Sequence, residues 1–319
     1  MSSHRLVLET SAAAHQRGDP AALAMVVETE GSTYVGPGAM ALFGAREGQV
    51  GWLSGGCLEP EIEQRARSAV VQARIDWMEI DTRDDEDLLA GSALGCRGRL
   101  RLALVPLAAL QGWPALVATW RKGRSPLRIA ISAQGDISAE AGGQKLEWKM
   151  ETAHSEALHS SNGTWELSIS APPAVLVFGA GPETPTLLPL LRSLGWMTTL
   201  VEKRARWLEQ ARHADALVEA SPESVPIPAN SFDAALVMNH NFEMDREALH
   251  ALASGDLAFI GLLGPIRRRE DLFRVLPPSV RASLLPRLHS PVGLKLGGQG
   301  PEAIALSIAA QLQAYRFPQ

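Results

Sequence analysis

The chain has 319 residues, enough for two domains with cores of their own, and is 46% hydrophobic and 20% charged, as globular proteins are. Its net charge of -5 gives no basic field that would recruit nucleic acid or an acidic membrane surface. It has neither a recognisable signal peptide nor the run of about 20 apolar residues that spans a bilayer, so we expect a cytoplasmic protein. In that reducing compartment its two cysteines, Cys57 and Cys96, do not favour a structural disulfide, and alone they cannot complete a four-ligand zinc site.

The first elements alternate between helix, strand and glycine-rich loop. The spacing of apolar residues predicts an amphipathic helix over 5–17 and a buried strand over 21–28. A polar loop with three glycines, residues 29–38, follows, and loops of this kind often carry function. Residues 39–43 and 49–53 then have the pattern of a β-hairpin.

A Ser-Gly-Gly-Cys turn connects this hairpin to the next predicted helix. Gly55 and Gly56 let the backbone turn sharply and let another molecule come close. Pro60 and the acidic residues beside it indicate the first turn of a helix, which places Cys57 at or just before a helix N-terminus. That position stabilises a thiolate and lowers the pKa of a cysteine. The alternative is an inert thiol packed under a turn.

A second Gly-Cys turn follows in the sequence. Residues 77–82 have a strand pattern, residues 83–87 form an acidic run, and residues 99–106 predict another strand. Between them stands Leu94-Gly95-Cys96-Arg97-Gly98, so Cys96 lies between glycines at a strand end, as Cys57 does. The sequence leaves open whether the two turns converge on one pocket.

Residues 108–170 carry short elements and few functional signals. We predict a helix at 114–120 and strands at 128–132, 145–150 and 165–170, with turns at Gly135-Asp136 and Gly142-Gly143. The stiff Ala171-Pro172-Pro173 break marks a domain boundary, which gives domains of 1–171, with a β-rich connecting segment at about 108–171, and 172–319.

After this break the sequence has the pattern of a βαβ unit. A continuous apolar strand, 174–178, leads into Gly179-Ala180-Gly181 and a helix over 185–194. A second apolar strand, 197–201, ends in Glu202-Lys203-Arg204. These are parts of a dinucleotide-binding fold, but Thr184 stands at the third glycine position. The pattern therefore predicts a Rossmann-like fold and gives only weak support for nicotinamide binding.

Further strands over 216–219, 232–238 and 258–262 continue this fold. Polar residues and glycines that follow these strands or precede the last helix, 303–314, are candidate ligand contacts, because open α/β sheets bind ligands at the carboxyl ends of their strands. These candidates are His240, Arg267, Gly297 and Gly298. The alternatives are a surface histidine and a solvated helix start.

Together these motifs resemble the XdhC/CoxI family of accessory proteins for molybdenum hydroxylases. The resemblance covers both halves of the chain and leaves out residues 108–170. In the first half the motifs are Glu28-Thr29-Glu30-Gly31-Ser32-Thr33, Gly36-Pro37-Gly38-Ala39-Met40 and Leu53-Ser54-Gly55-Gly56-Cys57-Leu58-Glu59. In the second half they are Phe178-Gly179-Ala180-Gly181, Leu194-Gly195-Trp196, Met238-Asn239-His240-Asn241-Phe242-Glu243, and the ending Pro291-Val292-Gly293-Leu294 through Gly298, Pro301-Glu302 and Ala305-Leu306-Ser307-Ile308.

The resemblance implies an α/β protein, with an N-terminal α+β domain built on a mixed sheet and a C-terminal Rossmann-like parallel domain. It also implies a chaperone that binds the molybdenum cofactor, a molybdopterin in mononucleotide or dinucleotide form, and supports its sulfuration with a cysteine desulfurase. The chaperone then passes the cofactor to an apo-hydroxylase of the xanthine dehydrogenase, CO dehydrogenase or aldehyde dehydrogenase type. We expect a homodimer without a membrane span.

By this resemblance Cys57 is the functional thiolate and the molybdenum contact, in keeping with a soft sulfur ligand. Cys96 matches a second family cysteine, although Arg97 replaces a glycine of the usual Gly-Cys-Gly-Gly setting. The implied cofactor-binding residues are Gly55, Gly56, Cys57, Cys96, Gly179, Gly181, Glu202, Arg204, His240, Arg267, Gly297 and Gly298.

Two other hypotheses remain on the sequence. The βαβ unit alone is compatible with an NAD(P)-dependent oxidoreductase, in which His240 is the one candidate for proton transfer. The Rossmann half is also compatible with a docking or dimerisation scaffold, since a fold alone does not assign a function.

Overall fold

The computed structural model describes residues 4–81, 98–153 and 163–318. The chain divides into two compact units, Met1–Ala171 (unit 1) and Pro172–Gln319 (unit 2). Within the described ranges, no helix is long and apolar enough to cross a bilayer.

Unit 1 consists of two antiparallel sheets and three α-helices over its described residues. Its elements are α1 (His4–Arg17), β1 (Ala22–Gly31), β2 (Met40–Ala45), β3 (Gly48–Val50), α2 (Glu59–Gln72), β4 (Asp76–Asp81), β5 (Gly98–Pro106), α3 (Trp113–Lys122), β6 (Leu127–Ser132), β7 (Asp136–Ala141), β8 (Gln144–Lys149) and β9 (Thr164–Ile169).

The larger sheet of unit 1 has the strand order β3-β2-β1-β5-β4. Every strand pair in it is antiparallel, so the mixed sheet predicted for this half is wrong in that detail. The physical reason is that β2 and β3 are joined by a tight hairpin, while β1 and β5 run in opposite directions along their whole length. Antiparallel strands need only short connections, whereas parallel strands need long crossovers.

The two faces of this sheet bury separate apolar layers. On one face α2 contributes Ile62, Ala66 and Ala69, which pack with residues such as Leu102 of β5. The other face packs with side chains from α1, α3 and the smaller sheet, among them Trp113. Burial of about 25 cal/mol per Å² of apolar surface stabilises this layered arrangement.

The smaller sheet has the order β8-β7-β6-β9 and is also antiparallel. Strand β7 was not predicted from the sequence. It runs between the two glycine turns, and its residues Asp-Ile-Ser-Ala-Glu-Ala have little β propensity of their own. Pairing with β6 and β8 on both sides supplies the stability that its sequence lacks.

Unit 2 is an α/β structure with one parallel sheet. Its elements are β10 (Ala174–Phe178), α4 (Thr184–Ser193), β11 (Met197–Val201), α5 (Ala205–Leu208), β12 (Ala216–Val218), β13 (Ala234–Val237), α6 (Phe242–Ala253), β14 (Ile260–Leu262), α7 (Ile266–Val275), α8 (Pro278–Leu284), β15 (Leu288–His289) and α9 (Pro301–Arg316).

The parallel sheet has the order β12-β11-β10-β13-β14-β15. This is the doubly wound order of the Rossmann fold, in which the chain direction across the sheet reverses between the first and fourth strands. The predicted α/β class and Rossmann-like second half are therefore confirmed. Apolar layers cover both faces of the sheet, as the continuous apolar strands indicate.

Candidate functional site

Cys57 lies in residues 51–58, the segment between β3 and α2 that we call the Cys57 loop, and its side chain is exposed. Its Sγ donates a hydrogen bond to the Ser54 hydroxyl across 3.6 Å. The same hydroxyl accepts hydrogen bonds from the backbone N–H groups of Gly56 and Leu58, at 3.1 and 3.2 Å. Ser54 therefore closes the loop into a compact turn with the thiol on its outside.

Glu59, the first residue of α2, anchors this turn from the protein side. It is only 4% exposed, and its carboxylate accepts the backbone N–H groups of Leu53 and Ser54 at 3.1 and 2.8 Å, together with the Ser54 hydroxyl. Burial raises the pKa of Glu59, but the hydrogen bonds from Ser54 and Leu53 outweigh it and leave the pKa below its ordinary value. The positive end of the helix dipole also favours the ionised carboxylate here.

The two glycines leave the outer side of this turn open. A Cβ added at Gly55 would meet no described atom within 4 Å, and one at Gly56 would come within 3.8 Å of the Trp52 ring. Gly56 has a φ of +104°, which a residue with a side chain adopts only with strain. A ligand can therefore approach the backbone directly beside the thiol.

Ion pairs fix one end of the larger sheet. The guanidinium of Arg101 on β5 lies 2.7 Å from Glu28 on β1 and 2.9 Å from Glu79 on β4, and the arginine side chain is 7% exposed. Residues 82–97 connect β4 to β5 at this end, and the predicted Gly-Cys turn with Cys96 falls within them, outside the described residues.

Unit 2 brings five predicted cofactor-binding residues together at a second place. Gly179 and Gly181 follow β10, Glu202 and Arg204 follow β11, and His240 follows β13. Strands β10 and β13 are neighbours at the point where the strand order reverses, which is where open α/β sheets bind ligands. We call residues 179–181 the glycine turn and this place the switch point.

Glu202 and Arg204 bind each other at the switch point. The carboxylate of Glu202 is fully buried and accepts Nε and Nη2 of Arg204 at 2.8 and 2.5 Å, and the N–H of Ala180 at 2.9 Å. Arg204 also donates to the carbonyl oxygens of Asn239 and Ala180, at 2.7 and 3.1 Å. Burial raises the pKa of Glu202, but the hydrogen bonds from Arg204 and Ala180 outweigh it and lower the pKa.

His240 forms a pair with the buried Glu183, which precedes α4. Its Nε2 lies 2.9 and 3.2 Å from the two carboxylate oxygens, so Nε2 carries the proton that the ionised carboxylate accepts. The hydrogen bond to Glu183 raises the pKa of His240, while partial burial acts in the opposite direction. The ring is 44% exposed, and the backbone has a φ of +52°.

The residues around His240 fix its loop. Asn239 is fully buried and donates its backbone N–H and its side-chain amide to Asp245, at 3.1 and 3.0 Å. Asp245 in turn accepts a 2.6 Å contact from Arg268 of α7. Asn241 caps α6 by accepting the N–H of Met244. This network holds the unusual His240 backbone conformation.

The other predicted contacts lie apart from these two groups. The side chain of Arg267, at the start of α7, is 90% exposed, and its nearest acid is Asp271 at 3.8 Å. Gly297 and Gly298 have φ values of +84° and +86° in an exposed loop before α9.

Several residues in these groups were not identified from the sequence. Glu59 was interpreted there only through the helix dipole, and Ser54 only as part of the turn. Glu183 could have been found, because an acid next to the glycine turn and before a predicted helix is the type of residue that occupies a helix N-terminus. Its pairing with His240, 57 residues away, has no local signal.

Comparisons with known proteins agree with the motifs. Residues 175–312 match the family described as the XdhC Rossmann domain, and residues 14–78 match the XdhC and CoxI family. A Bacillus subtilis (strain 168) protein, named as a probable xanthine dehydrogenase subunit, is 29% identical over 313 residues, which cover 92% of each chain. An uncharacterised Escherichia coli (strain K12) protein, YqeB, is 34% identical over 102 residues, 31% of this chain and 18% of its own length.

A solved structure shares the fold over almost the whole length. It is a crystal structure from Bacillus halodurans, described as that of a xanthine dehydrogenase, with a TM-score of 0.77 and 27% identity, covering 98% of this chain and 97% of that one. The two family matches together span more than half of the chain, one in each unit. The chain therefore belongs to the XdhC and CoxI family, whose homologues are of the xanthine dehydrogenase accessory type.

Proposed function

We propose that this protein binds the molybdenum cofactor at the Cys57 loop, supports its sulfuration, and passes it to an apo-hydroxylase of the xanthine dehydrogenase or CO dehydrogenase type. Family membership supports the accessory role, and two relatives are named as xanthine dehydrogenase components. The observation that carries the proposal is the exposed Cys57 thiol on a turn whose glycines leave space for a ligand.

The residues of the Cys57 loop fit such a cofactor. A thiol is a soft donor suited to molybdenum, and Cys57 would supply that sulfur contact. The backbone at Gly55 and Gly56 would lie against the pterin, because no side chain at either position blocks its approach. When bound, the cofactor supplies the molybdenum centre that the hydroxylase later uses.

The chain's own residues position and present the thiol. Ser54 holds Cys57 through its hydroxyl, and the buried Glu59 holds Ser54 through two of its groups. Since these contacts lie on the protein side, the outer side remains accessible to a second protein. That arrangement suits sulfuration by a cysteine desulfurase and transfer to a hydroxylase, the two partners that the proposal requires. A homodimer is part of the same proposal.

Cofactor content tests the proposal. The full chain is purified anaerobically from a molybdate-fed host, and released pterin is oxidised and measured by fluorescence for wild type and Cys57→Ala. We expect near-stoichiometric pterin in wild type and less than about a tenth of it in the variant, since loss of a contact worth about 1.4 kcal/mol changes affinity tenfold. Activation of apo-xanthine dehydrogenase should fall in parallel.

The thermal midpoints of both proteins provide the control, because an exposed side chain contributes little to folding stability. Equal pterin in wild type and variant would contradict a site at Cys57. Absence of pterin from both proteins, with no activation of the hydroxylase, would contradict the proposed function itself.

A further inference from the structure

The glycine turn of unit 2 has the position of a dinucleotide site and a different content. In dinucleotide-binding folds the glycines let the pyrophosphate approach the backbone, free N–H groups at the helix N-terminus bind it, and an acid after the second strand binds the ribose. Each of these three features has a counterpart in this chain, and each is engaged by the protein itself.

The space in front of the glycines holds side chains of the β13 loop. A Cβ added at Gly179 would lie 2.4 Å from Cα and 2.5 Å from Oδ1 of Asn239. One added at Gly181 would lie 2.5 Å from Nε2 of His240 and 2.8 Å from Oε1 of Glu183. Real Cβ atoms do not come this close to other atoms, so the glycines are required here by the protein's own packing.

The anion-binding groups are also engaged. The N–H of Ala180 binds Glu202, and the N–H of Gly181 binds the Thr184 hydroxyl at 2.8 Å. Pro182 and Pro185 have no N–H to offer. The buried carboxylate of Glu183 stands at the N-terminus of α4, where a phosphate would have to bind, and it would repel that anion.

The ribose position is blocked in the same way. Glu202 is fully buried under the guanidinium of Arg204, which spans from the glycine turn to the backbone of Asn239. A ribose hydroxyl could reach the Glu202 carboxylate only after this ion pair had opened. Removing one partner of a buried pair is costly because the other charge is left uncompensated.

We propose that the switch point of unit 2 is closed to NAD(P) and related dinucleotides, and that the glycine turn serves as a packing joint for the Asn239–His240 loop. This inference concerns the second unit and does not depend on the function proposed for Cys57. It removes hydride transfer by a nicotinamide from the chemistry available to unit 2.

A double-mutant cycle on the full chain tests the joint. Gly181 lacks a positive φ, so Gly181→Ala introduces the contact with His240 and Glu183 without backbone strain. We expect it to lower the thermal midpoint by about 3–8 °C. In the His240→Ala background, which removes the nearest atoms and frees Glu183, the same change should lower the midpoint by less than half as much. Equal losses in both backgrounds, or no loss in wild type, would overturn the joint.

Titration of the wild-type chain with NAD⁺, NADH and NADPH by calorimetry tests the closure directly and needs no variant to fold. We expect no saturable binding up to about 1 mM, the range in which a ligand gains only about 4 kcal/mol. Saturable binding of any of the three below that concentration would overturn the proposal.

Discussion

Two glycine turns in this protein precede helices and have opposite surroundings. In the Cys57 loop a Cβ at Gly55 would meet no described atom within 4 Å, whereas at the glycine turn of unit 2 a Cβ at Gly179 would lie 2.4 Å from Asn239. Both turns have the sequence pattern of a ligand site. The first leaves its glycines open beside an exposed thiol, and the second has its glycines filled by the protein's own residues.

This difference shows that glycine in a turn permits a close approach but does not say what approaches. The approaching group is a neighbouring loop in unit 2, and we propose that it is a cofactor in unit 1. The variants below, from the largest expected effect to the smallest, test whether the two turns differ in this way.

Gly179→Ala should have the largest effect on stability. The new methyl group would meet the backbone of Asn239, and the residue would have to keep a φ of +87°. Backbone strain of about 1–2 kcal/mol and overpacking of about 1–3 kcal/mol together predict a loss of about 3 kcal/mol in chemical denaturation.

Two other glycines separate these causes. Gly297 has a φ of +84° and open space around it, so Gly297→Ala should cost only the strain, about 1 kcal/mol. Gly55→Ala, with neither feature, should stay within about 0.5 kcal/mol of wild type. A cost at Gly55 as large as that at Gly179 would mean that the Cys57 loop is filled too.

Glu59→Ala should destabilise unit 1 by about 2–3 kcal/mol, because the N–H groups of Leu53 and Ser54 and the Ser54 hydroxyl would lose a charged, buried acceptor. The matched control is Glu61→Ala, an exposed acid in the same helical turn. Urea denaturation measures both. Equal, small effects would show that Glu59 does not anchor the Cys57 loop.

The pair of His240 and Glu183 predicts a pH-dependent contribution to stability. Because folding raises the pKa of His240, the contribution is fully present below about pH 6.5, the ordinary histidine value, and is lost as pH rises through the raised pKa. Glu183, Asp245 and Arg268 are the charged groups that face the ring. The stability difference between wild type and His240→Gln should thus be larger at pH 6 than at pH 9, by at most about 1 kcal/mol for a half-exposed group.

Denaturation midpoints of both proteins across this pH range measure the difference. The exposed His250 on α6 provides a control for the loss of a histidine elsewhere, as His250→Gln. A difference that grows with rising pH would contradict the ion pair.

Cys57→Ser should have the smallest effect on stability, below about 0.5 kcal/mol, because the side chain is exposed and serine keeps the hydrogen-bonding group. Thermal unfolding of the cofactor-free chain checks this. A larger loss would indicate that the thiol serves the folding of the loop.

The sequence was a good guide where periodicity decides structure. Strands β10 and β11 have the predicted bounds, because continuous apolar runs between turn residues leave few alternatives. Strand β7 could not be predicted, since its residues form a strand only between two partners. At the Cys57 loop the exposed cysteine beside two glycines was foreseeable, but the role of Glu59 depends on which backbone groups the folded loop directs toward it.

The switch point shows the same limit over a longer distance. The sequence indicates that Gly181, Glu202 and His240 come to the same sheet edge, because each follows a parallel strand. It does not indicate that Arg204 covers Glu202 or that His240 packs on Gly181. Those contacts depend on side-chain conformations set by the packing of several strands and helices, and they decide whether a crevice is open or filled.

Alkylation of Cys57 with and without the cofactor tests the central claim most directly. Cofactor-loaded and cofactor-free chains, prepared anaerobically, are treated with iodoacetamide under native conditions, and modified peptides are quantified by mass spectrometry. We predict rapid modification of the exposed Cys57 in the cofactor-free chain and strong protection in the loaded chain. Equal modification of Cys57 in both, with pterin still bound at one equivalent, would place the cofactor elsewhere and contradict the account.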